Sequence, residues 1–305
     1  MIVDCFTHTW ETDERLGSLL GENGRRLGLG PTQADRHVAS AARHLEASKP
    51  IDVAFVLGFK SVYLGAEISN DAVAAYVRTH PDRLVGFAGI DPSDPRGGVQ
   101  ELERARAELG LKGVTVAPAA QGVHPANSQA MLIYAEAARR GLPVLFHSGV
   151  TITSATRLEY AQPVLLDEVA REHPTLKIIV AHMGFPWVRE TLVLLAKHPN
   201  VYADLSWLLR QPWETYQALL AASQFGVMDK LLFGSGFPAS SASECIESLL
   251  SLNQLVHGTN LPNIPREQLR QIVERDALTL LGIEGPRRGS PAAATEDAVE
   301  ESTSH

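Results

Sequence analysis

The chain has 305 residues, of which 45% are hydrophobic and 20% are charged, and its formal net charge is -8. A chain of this size can bury a large core, and α/β barrels of about 250 residues are routinely one domain. The excess of acidic residues and the even mixing of both signs exclude an extended basic stripe. We therefore expect no nucleic acid and no membrane among its partners.

The number of cysteines and the first residues of the chain bear on the cellular compartment in which the protein is expected. The two cysteines, Cys5 and Cys245, make no disulfide framework, which is typical of a reducing environment. No charged-then-apolar leader precedes the first predicted strand, and no apolar run is long enough to span a membrane. We therefore expect a soluble, cytoplasmic protein.

Short runs rich in apolar and β-branched residues recur along the chain and predict eight strands. They lie at residues 1–6, 51–57, 84–90, 111–116, 142–147, 176–182, 200–206 and 230–235. Between them, apolar residues recur at three-to-four spacing, which predicts helices. Strands that alternate with helices form a parallel sheet, and eight such strands close a barrel. The sequence therefore predicts an α/β fold, a (β/α)8 TIM barrel.

Three segments lie outside this repeat. Residues 11–50 are too long for one crossover and contain helical patterns, so we expect a helical cap insertion after strand 1. A helix over 265–282 is predicted to close the domain, which would then comprise residues 1–284. Residues 285–305 are small, polar and acidic without periodicity, which predicts a disordered acidic tail.

Histidines stand at the predicted carboxyl ends of three strands, where active sites of (β/α)8 barrels lie. They are His8 after strand 1, His147 after strand 5 and His182 after strand 6. A single histidine at such a place is often structural, but three are expected to converge at the mouth of one barrel. Imidazole titrates near neutral pH and serves as acid, base or metal ligand. The three histidines are therefore the candidate catalytic residues.

Six motifs carry a resemblance to a known family. In order, they are "VDCFTHTW", "RLVGFAGIDPSDP", "GLPVLFHSG", "LKIIVAHMGFPWV", "HPNVYADLS" and "KLLFGSGFP". They resemble the second amidohydrolase family, which includes the aminocarboxymuconate-semialdehyde decarboxylase-like enzymes. The resemblance covers nearly all of residues 1–284. It implies a TIM-barrel metalloenzyme, in many members dimeric, that hydrolyses or decarboxylates small carboxylated or aromatic molecules.

The resemblance also implies a metal-ligand set that this chain only partly carries. The family has a His-x-His pair at the end of strand 1, where this chain has Phe6 and His8. The strand-five ligand matches His147, and the strand-six acid or base matches His182. The family's aspartate ligand after strand 8 is replaced by Gly236 in "FGSGFP".

The usual ligand set is thereby reduced to His8 and His147. Catalytic zinc sites generally keep three protein ligands plus a water, so we expect no catalytic metal and no other cofactor. Strand alternation predicts that Cys5 faces away from the barrel interior, and Asp4 is interpreted as a buried acid that orients His8 through a hydrogen bond. A three-histidine zinc site that recruits His182 is the alternative.

Aromatic side chains at or just after the strand ends predict a flat, partly apolar ligand. They are Phe6, Trp10, Phe185, Trp187 and Trp207. Basic residues in the loops after strands 2, 5 and 7 are suited to hold a carboxylate or an enolate. They are Lys60, Arg157 and Arg210. Arg157 is preferred, because "TRLEYAQP" matches a loop that the resemblance places near the active site.

Three functions remain open. The preferred one is a metal-independent acid–base enzyme that cyclises, decarboxylates or hydrolyses a small activated aromatic or conjugated carbonyl compound. In it, His182 is the general base, His147 polarises a substrate oxygen and His8 assists. The second is a metal-dependent hydrolase or decarboxylase with the reduced three-histidine site. The third is a non-catalytic barrel that binds a small molecule or a partner. A homodimer is expected in each case.

Overall fold

The computed structural model describes residues 1–11, 39–149 and 153–285. In that part of the chain the strands are β1 (Val3–Thr7), β2 (Val53–Leu57), β3 (Phe59–Ser61), β4 (Ala66–Ile68), β5 (Leu84–Gly89), β6 (Gly113–Val116), β7 (Val144–Phe146), β8 (Ile178–Val180), β9 (Val201–Asp204) and β10 (Leu231–Leu232). All except β3 and β4 form one parallel sheet in the order β1-β2-β5-β6-β7-β8-β9-β10. Each of these eight strands falls on a predicted one, so the predicted TIM barrel is confirmed.

The sheet curls into a nearly closed barrel, because the segment after β10 returns to β1. The Cys5 amide donates to the Phe233 carbonyl at 2.9 Å, and the His8 amide donates to the Phe237 carbonyl at 3.0 Å. Strand β10 is shorter than the predicted 230–235, since the residues from Phe233 onward bond to β1 instead of extending the ladder with β9.

Helices follow the strands around the outside of the barrel. The α-helices that the described ranges contain are Ala41–Ala47, Asn70–Thr79, Pro95–Ala107, Pro118–Gln121, Ser128–Arg139, Leu166–Glu172, Val188–Lys197, Pro212–Phe225, Ala242–Leu250, Arg266–Val273 and Ala277–Leu281. The predicted closing helix over 265–282 is therefore two helices. The second one starts anew because the Asp276 side chain caps it, accepting from the Thr279 amide at 3.1 Å.

The core has two layers, which follow the alternation of side chains along each strand. One layer lies between barrel and helices and includes Val114, Val116 and Ile178. The other fills the barrel, where the rings of Phe55 and Phe87 stack with centroids 4.8 Å apart. This filled interior places the open space of the barrel at the carboxyl ends of the strands.

Two features concern the connections. Strands β3 and β4 form an antiparallel hairpin after β2 that the sequence reasoning missed.

Of the predicted cap at 11–50, residues 12–38 lie outside the described residues, and the structure gives the helix Ala41–Ala47 and a bridge between Trp10 and Ala39. The predicted tail lies outside them beyond residue 285. Within the described residues, the helices are too short or too polar to cross a membrane.

Candidate active site

The three predicted histidines come together at the mouth of the barrel, around the side chain of Phe6. The Phe6 ring centroid lies 5.2 Å from that of His8, 5.0 Å from His147 and 4.7 Å from His182. The imidazoles of His8 and His147 are stacked at 5.3 Å, and those of His147 and His182 are 6.0 Å apart. Residues far apart in sequence thus form one compact cluster, as the strand-end positions predict.

His8 is held by the neighbouring strand. Its Nδ1 lies 2.9 Å from the carbonyl oxygen of Leu57, at the end of β2. A carbonyl only accepts hydrogen bonds, so Nδ1 carries the proton and donates. The lone pair of His8 is therefore on Nε2.

His147 continues the ladder of β7, because its amide donates to the Val116 carbonyl at 2.9 Å. Its Nε2 is buried and has no hydrogen-bond partner among the residues that the structure describes. A buried polar atom without a partner carries a desolvation cost of about 1–3 kcal/mol. A substrate polar group that bonds to Nε2 would remove this cost.

His182 is fixed through its backbone and its ring. Its amide lies 3.2 Å from Oδ1 of Asp204. Its ring Nδ1 lies 2.8 Å from the hydroxyl oxygen of Ser206 and 3.2 Å from the Ser206 carbonyl oxygen. The Ser206 hydroxyl in turn bonds to Oδ1 of Asp204. Strand β9 and the residues after it thus set the direction of the imidazole.

Left-handed backbone conformations concentrate beside this cluster. Among the described residues other than glycine, φ is positive at His182 (58°), Met183 (50°) and Trp207 (64°). Such conformations cost on the order of 1 kcal/mol each and persist where surrounding contacts fix them. All three lie two or three residues beyond the end of β8 or β9, so the strain is stored at the strand ends that carry the site.

Burial sets the charge state of the cluster. It lowers the pKa of His8 and of His182 to about 4. The pKa of His147 is held well below its ordinary value, first by burial and then by the neighbouring imidazoles of His8 and His182. All three rings are therefore neutral at physiological pH. They are suited to accept protons and to form hydrogen bonds, and not to act as fixed cations.

The residues present do not fit the metal centre that the family resemblance implies. Across residues 1–11, 39–149 and 153–285, the structure has no group of three or more His, Cys, Asp or Glu side chains arranged to hold a metal ion. The Phe6 ring lies among the imidazoles, and Gly236 supplies no carboxylate. The geometry speaks equally against the three-histidine alternative.

Two expectations about β1 are wrong for one physical reason. The register of β1 against β2 shifts between Asp4 and Thr7, so simple alternation does not hold along this strand. Cys5 is fully buried in the cluster of side chains that fills the barrel, together with Phe6. Asp4 does not orient His8, because its Oδ1 accepts from the amides of Phe6 at 3.2 Å and Ser235 at 2.9 Å.

The predicted aromatic wall is only partly assembled. Trp10 is half-buried and its amide donates to the Ala39 carbonyl at 3.0 Å. The amides of Phe185 and Trp187 bond to the carbonyls of His182 and Gly184, in the turn after β8. Phe6 is thus the predicted aromatic residue that touches all three histidine rings.

The predicted basic residues lie further out. Lys60 is on β3, opposite Glu67, and Arg157 is exposed, with its guanidinium 6.0 Å from the ring centroid of Tyr63. No hydrogen bond, ion pair or ring contact joins Lys60 or Arg157 to the three imidazoles in the described ranges. The Arg210 guanidinium lies 5.2 Å from the ring centroid of Trp207.

Sequence reasoning missed three side chains of this site. Phe59, on β3, has its ring 6.4 Å from that of His147. Asp204 ends β9 and Ser206 follows it, and both are fully buried against His182. A carboxylate two residues beyond the barrel-filling Tyr202 was a readable signal for Asp204, whereas nothing in the sequence marked the hairpin that carries Phe59.

Comparison with known proteins finds an amidohydrolase family model and relatives that are named decarboxylases. A family model described as amidohydrolase matches residues 3–283. The gamma-resorcylate decarboxylase of Rhodococcus jostii (strain RHA1) is 29% identical over 147 residues, which are 39% of this chain and 45% of that enzyme. The match therefore spans less than half of that relative. The decarboxylase orsB of Emericella nidulans is 23% identical over 256 residues, 70% of this chain and 75% of that protein.

The fold is shared with solved decarboxylase structures. One is the dihydroxybenzoic acid decarboxylase of Polaromonas sp. JS666, solved with bound manganese and the inhibitor 2-nitroresorcinol. It superposes with a TM-score of 0.61 at 16% sequence identity, over 92% of this chain and 96% of that chain. At this identity the likeness shows the fold alone.

Proposed function

Because this chain belongs to the amidohydrolase family, we propose that it is a lyase that decarboxylates a small hydroxylated aromatic acid. We further propose that its histidines carry the acid–base chemistry without a catalytic metal. The reaction class is supported by two relatives that are named decarboxylases. The absence of a metal-binding arrangement in the described residues supports the second part.

The observation that carries the proposal is the cluster of neutral imidazoles around Phe6. His8 and His182 each donate through Nδ1, so each has a lone pair on Nε2. Lone pairs at one site favour a ligand that brings hydroxyl donors. The rings of Phe6 and Phe59 favour a flat apolar body. A phenol meets both requirements.

The proposed reaction needs only proton transfer. A phenol hydroxyl beside the carboxylate gives its proton to Nε2 of His182. The resulting imidazolium delivers this proton to the ring carbon that bears the carboxylate, which turns the substrate into a β-keto acid. The bond from that carbon to the carboxylate then breaks, CO2 leaves, and the electron pair returns through the ring to the oxygen, giving a phenolate.

The other groups have supporting roles in this scheme. With its proton on Nε2, His147 donates to the substrate oxygen as negative charge builds there. His8 accepts from a second hydroxyl. The apolar rings around the carboxylate favour the loss of its charge as neutral CO2. Arg157, Lys60 and Arg210 would guide the acid at the rim, with Arg157 first. Each positioned proton transfer is worth about 10²- to 10⁴-fold in rate.

The test starts with exhaustive chelation and elemental analysis of the purified protein. Hydroxybenzoic acids with a hydroxyl beside the carboxylate are then assayed for CO2 release, with their ortho-methyl ethers as matched controls. In D2O, the vacated ring carbon should gain one deuterium. We expect turnover of the phenols, none of the ethers, and no gain on adding zinc or manganese.

Each other outcome identifies a competing function. Turnover that requires added metal would support the metal-dependent hydrolase or decarboxylase. Binding of phenols without turnover under either condition would support a non-catalytic, ligand-binding barrel. Turnover of the ethers at the same rate would refute the role of the phenol proton.

A further inference from the structure

We propose that Asp204 and Ser206 form a hydrogen-bonded relay that locks His182 as the tautomer protonated on Nδ1, so that Nε2 faces the reaction as the base. The relay is a positioning device, since neither residue is required to touch the substrate. This inference rests on the proposed function for the role of the base, but the tautomer itself is measurable without any substrate.

The direction of each hydrogen bond follows from the donors around Asp204. Its Oδ1 accepts from the amide of His182 at 3.2 Å and from the amide of Ser206 at 2.9 Å. An oxygen that accepts two N–H groups is the acceptor for the third contact as well. The Ser206 hydroxyl therefore donates to Oδ1.

The tautomer of His182 follows in turn. Because the Ser206 hydroxyl donates its hydrogen bond to Asp204, its oxygen accepts one from His182 Nδ1 at 2.8 Å. The Ser206 carbonyl oxygen, which only accepts, lies 3.2 Å from the same Nδ1. Two acceptors thus converge on Nδ1, and the proton belongs there. The lone pair is left on Nε2.

Packing keeps the relay dry and close. Asp204 and Ser206 are both fully buried. A side chain at Gly234 would place its Cβ 3.1 Å from the Cβ of Ser206, 3.2 Å from that of Phe6 and 3.3 Å from Oδ1 of Asp204. The missing side chain at Gly234 therefore leaves room for Ser206, Asp204 and Phe6 to pack closely around this position. In such a site a hydrogen-bonded carboxyl group couples strongly to a charge on the imidazole, two hydrogen bonds away.

The relay would also stabilise the product of proton transfer. When Nε2 takes the substrate proton, the new positive charge on the ring is met by the Ser206 oxygen and, beyond it, by Asp204. The other nearby acid, Asp4, bonds to the amides of Phe6 and Ser235 instead. Asp204 is thus the carboxyl group that the described residues connect to His182.

The decisive variant is Ser206→Ala, which removes the relay oxygen and leaves the backbone in place. Because the Ser206 carbonyl still accepts from Nδ1, we expect the Nε2-protonated tautomer to become populated beside the Nδ1-protonated one. We expect kcat to fall about 10- to 100-fold, the loss typical when the hydrogen-bond partner of a metal-bound histidine is removed. Ser206→Thr keeps a hydroxyl and should retain the wild-type tautomer. Asp204→Asn keeps an oxygen for the amides but can no longer ionise, and should lower kcat while Nδ1 stays protonated.

Ser235→Ala is the matched control. Ser235 is also a buried serine, three residues after β10, and its hydroxyl oxygen accepts from the Phe237 amide at 3.2 Å. Losing it removes a buried hydroxyl without touching the relay. We expect the tautomer of His182 to be unchanged in this variant.

The measurement is a two-dimensional ¹H–¹⁵N spectrum of the histidine rings in the substrate-free protein, with His182 assigned by comparison with His182→Gln. Wild-type His182 protonated on Nδ1, with a change of tautomer in Ser206→Ala alone, supports the relay. A wild-type ring protonated on Nε2, or a Ser206→Ala ring with the same tautomer population as the wild type, overturns it. If the tautomer behaves as expected and no substrate is turned over, the relay stands and the proposed function fails.

Discussion

The ring of Phe6 lies against the imidazole of His182, with centroids 4.7 Å apart and planes inclined at 59°. The same ring contacts His8 and His147 at 5.2 and 5.0 Å. An apolar ring at the centre of three imidazoles occupies space that a metal ion and its ligands would need. This one contact therefore links the sequence difference at position 6 to the chemistry proposed for the site.

Restoring the family's ligands should restore metal binding. We expect the double variant Phe6→His with Gly236→Asp to bind zinc at least about 100-fold more tightly than the wild type, because two ligating groups return. Gly236 has a φ of +73°, and aspartate tolerates this region better than most residues, so the variant should fold. Titration calorimetry on chelated protein gives both affinities.

Phe6→Leu is the control for the double variant, since it removes the ring without adding a ligand, and it should bind zinc no better than the wild type. A wild-type protein that takes up one equivalent of zinc as tightly as the double variant would contradict the metal-independent proposal.

Substitution of His182 tests the proposed base. Asparagine is the suitable replacement, because His182 has a φ of 58° and asparagine accepts left-handed backbone readily. We expect His182→Asn to lower kcat by about 10²- to 10⁴-fold, the contribution of one positioned base. The unfolding midpoint should fall by only a few degrees. Steady-state kinetics and thermal unfolding measure the two effects.

The matched control is His257→Gln, which changes an exposed histidine that is not part of the candidate site. Its kcat should equal that of the wild type. If His182→Asn also keeps its kcat, the base is another residue.

Gly234 offers a test of packing. In Gly234→Ala, the added Cβ would lie 3.1 to 3.3 Å from Ser206, Phe6 and Asp204, so these neighbours must shift by a few tenths of an ångström. We expect kcat to fall while the protein still folds, because crowding of this kind costs about 1–3 kcal/mol. A crystal structure and kinetics of the variant would show both. Unchanged kcat despite a displaced Ser206 would argue against the relay.

The sequence was sufficient for the barrel and for the gathering of the histidines, because both follow from strand order. His8, His147 and His182 end three parallel strands, and such ends meet at one edge. The contacts of Asp4 and Cys5 were mispredicted, since a register shift in β1 leaves no mark in the composition of a five-residue strand.

The relay was out of reach for a different reason. It depends on the left-handed turn at His182 and on the close approach that Gly234 allows, and both are tertiary effects. Secondary-structure propensity and hydrophobic periodicity carry no information on which side-chain oxygen faces an imidazole. The hairpin β3–β4 was missed because its strands have only three residues each.

The acid stability of the fold should depend on its buried histidines. Burial lowers the pKa of His8, His44 and His182 to about 4. Between about pH 4 and 6.5 the unfolded chain therefore binds more protons at these rings than the folded chain, so their contribution to stability is lost as the pH falls through this window.

Two buried carboxyl groups act in the opposite sense. Burial raises the pKa of Asp4 to about 6 and that of Asp204 to about 7. The folded chain keeps these two protons to a higher pH than the unfolded chain does. The stability that these protonated carboxyl groups contribute is therefore lost as the pH rises through about 6 and 7. The lowered histidines outnumber the raised carboxyl groups, and we expect the free energy of unfolding to rise from pH 4.5 to 6.5 and then to level off.

His44 is the histidine of this group that lies outside the candidate site, so its substitution tests the effect of burial alone. It is fully buried, with Nδ1 2.7 Å from the Tyr76 hydroxyl and Nε2 3.0 Å from the Thr7 hydroxyl. In His44→Gln, the rise in unfolding free energy between pH 4.5 and 6.5 should be smaller by about 2 kcal/mol, because the variant lacks the imidazole whose pKa burial lowers to about 4. Urea unfolding at both pH values measures the difference. The exposed variant His257→Gln should keep the wild-type slope, and an equal slope in His44→Gln would mean that His44 titrates normally in the folded protein.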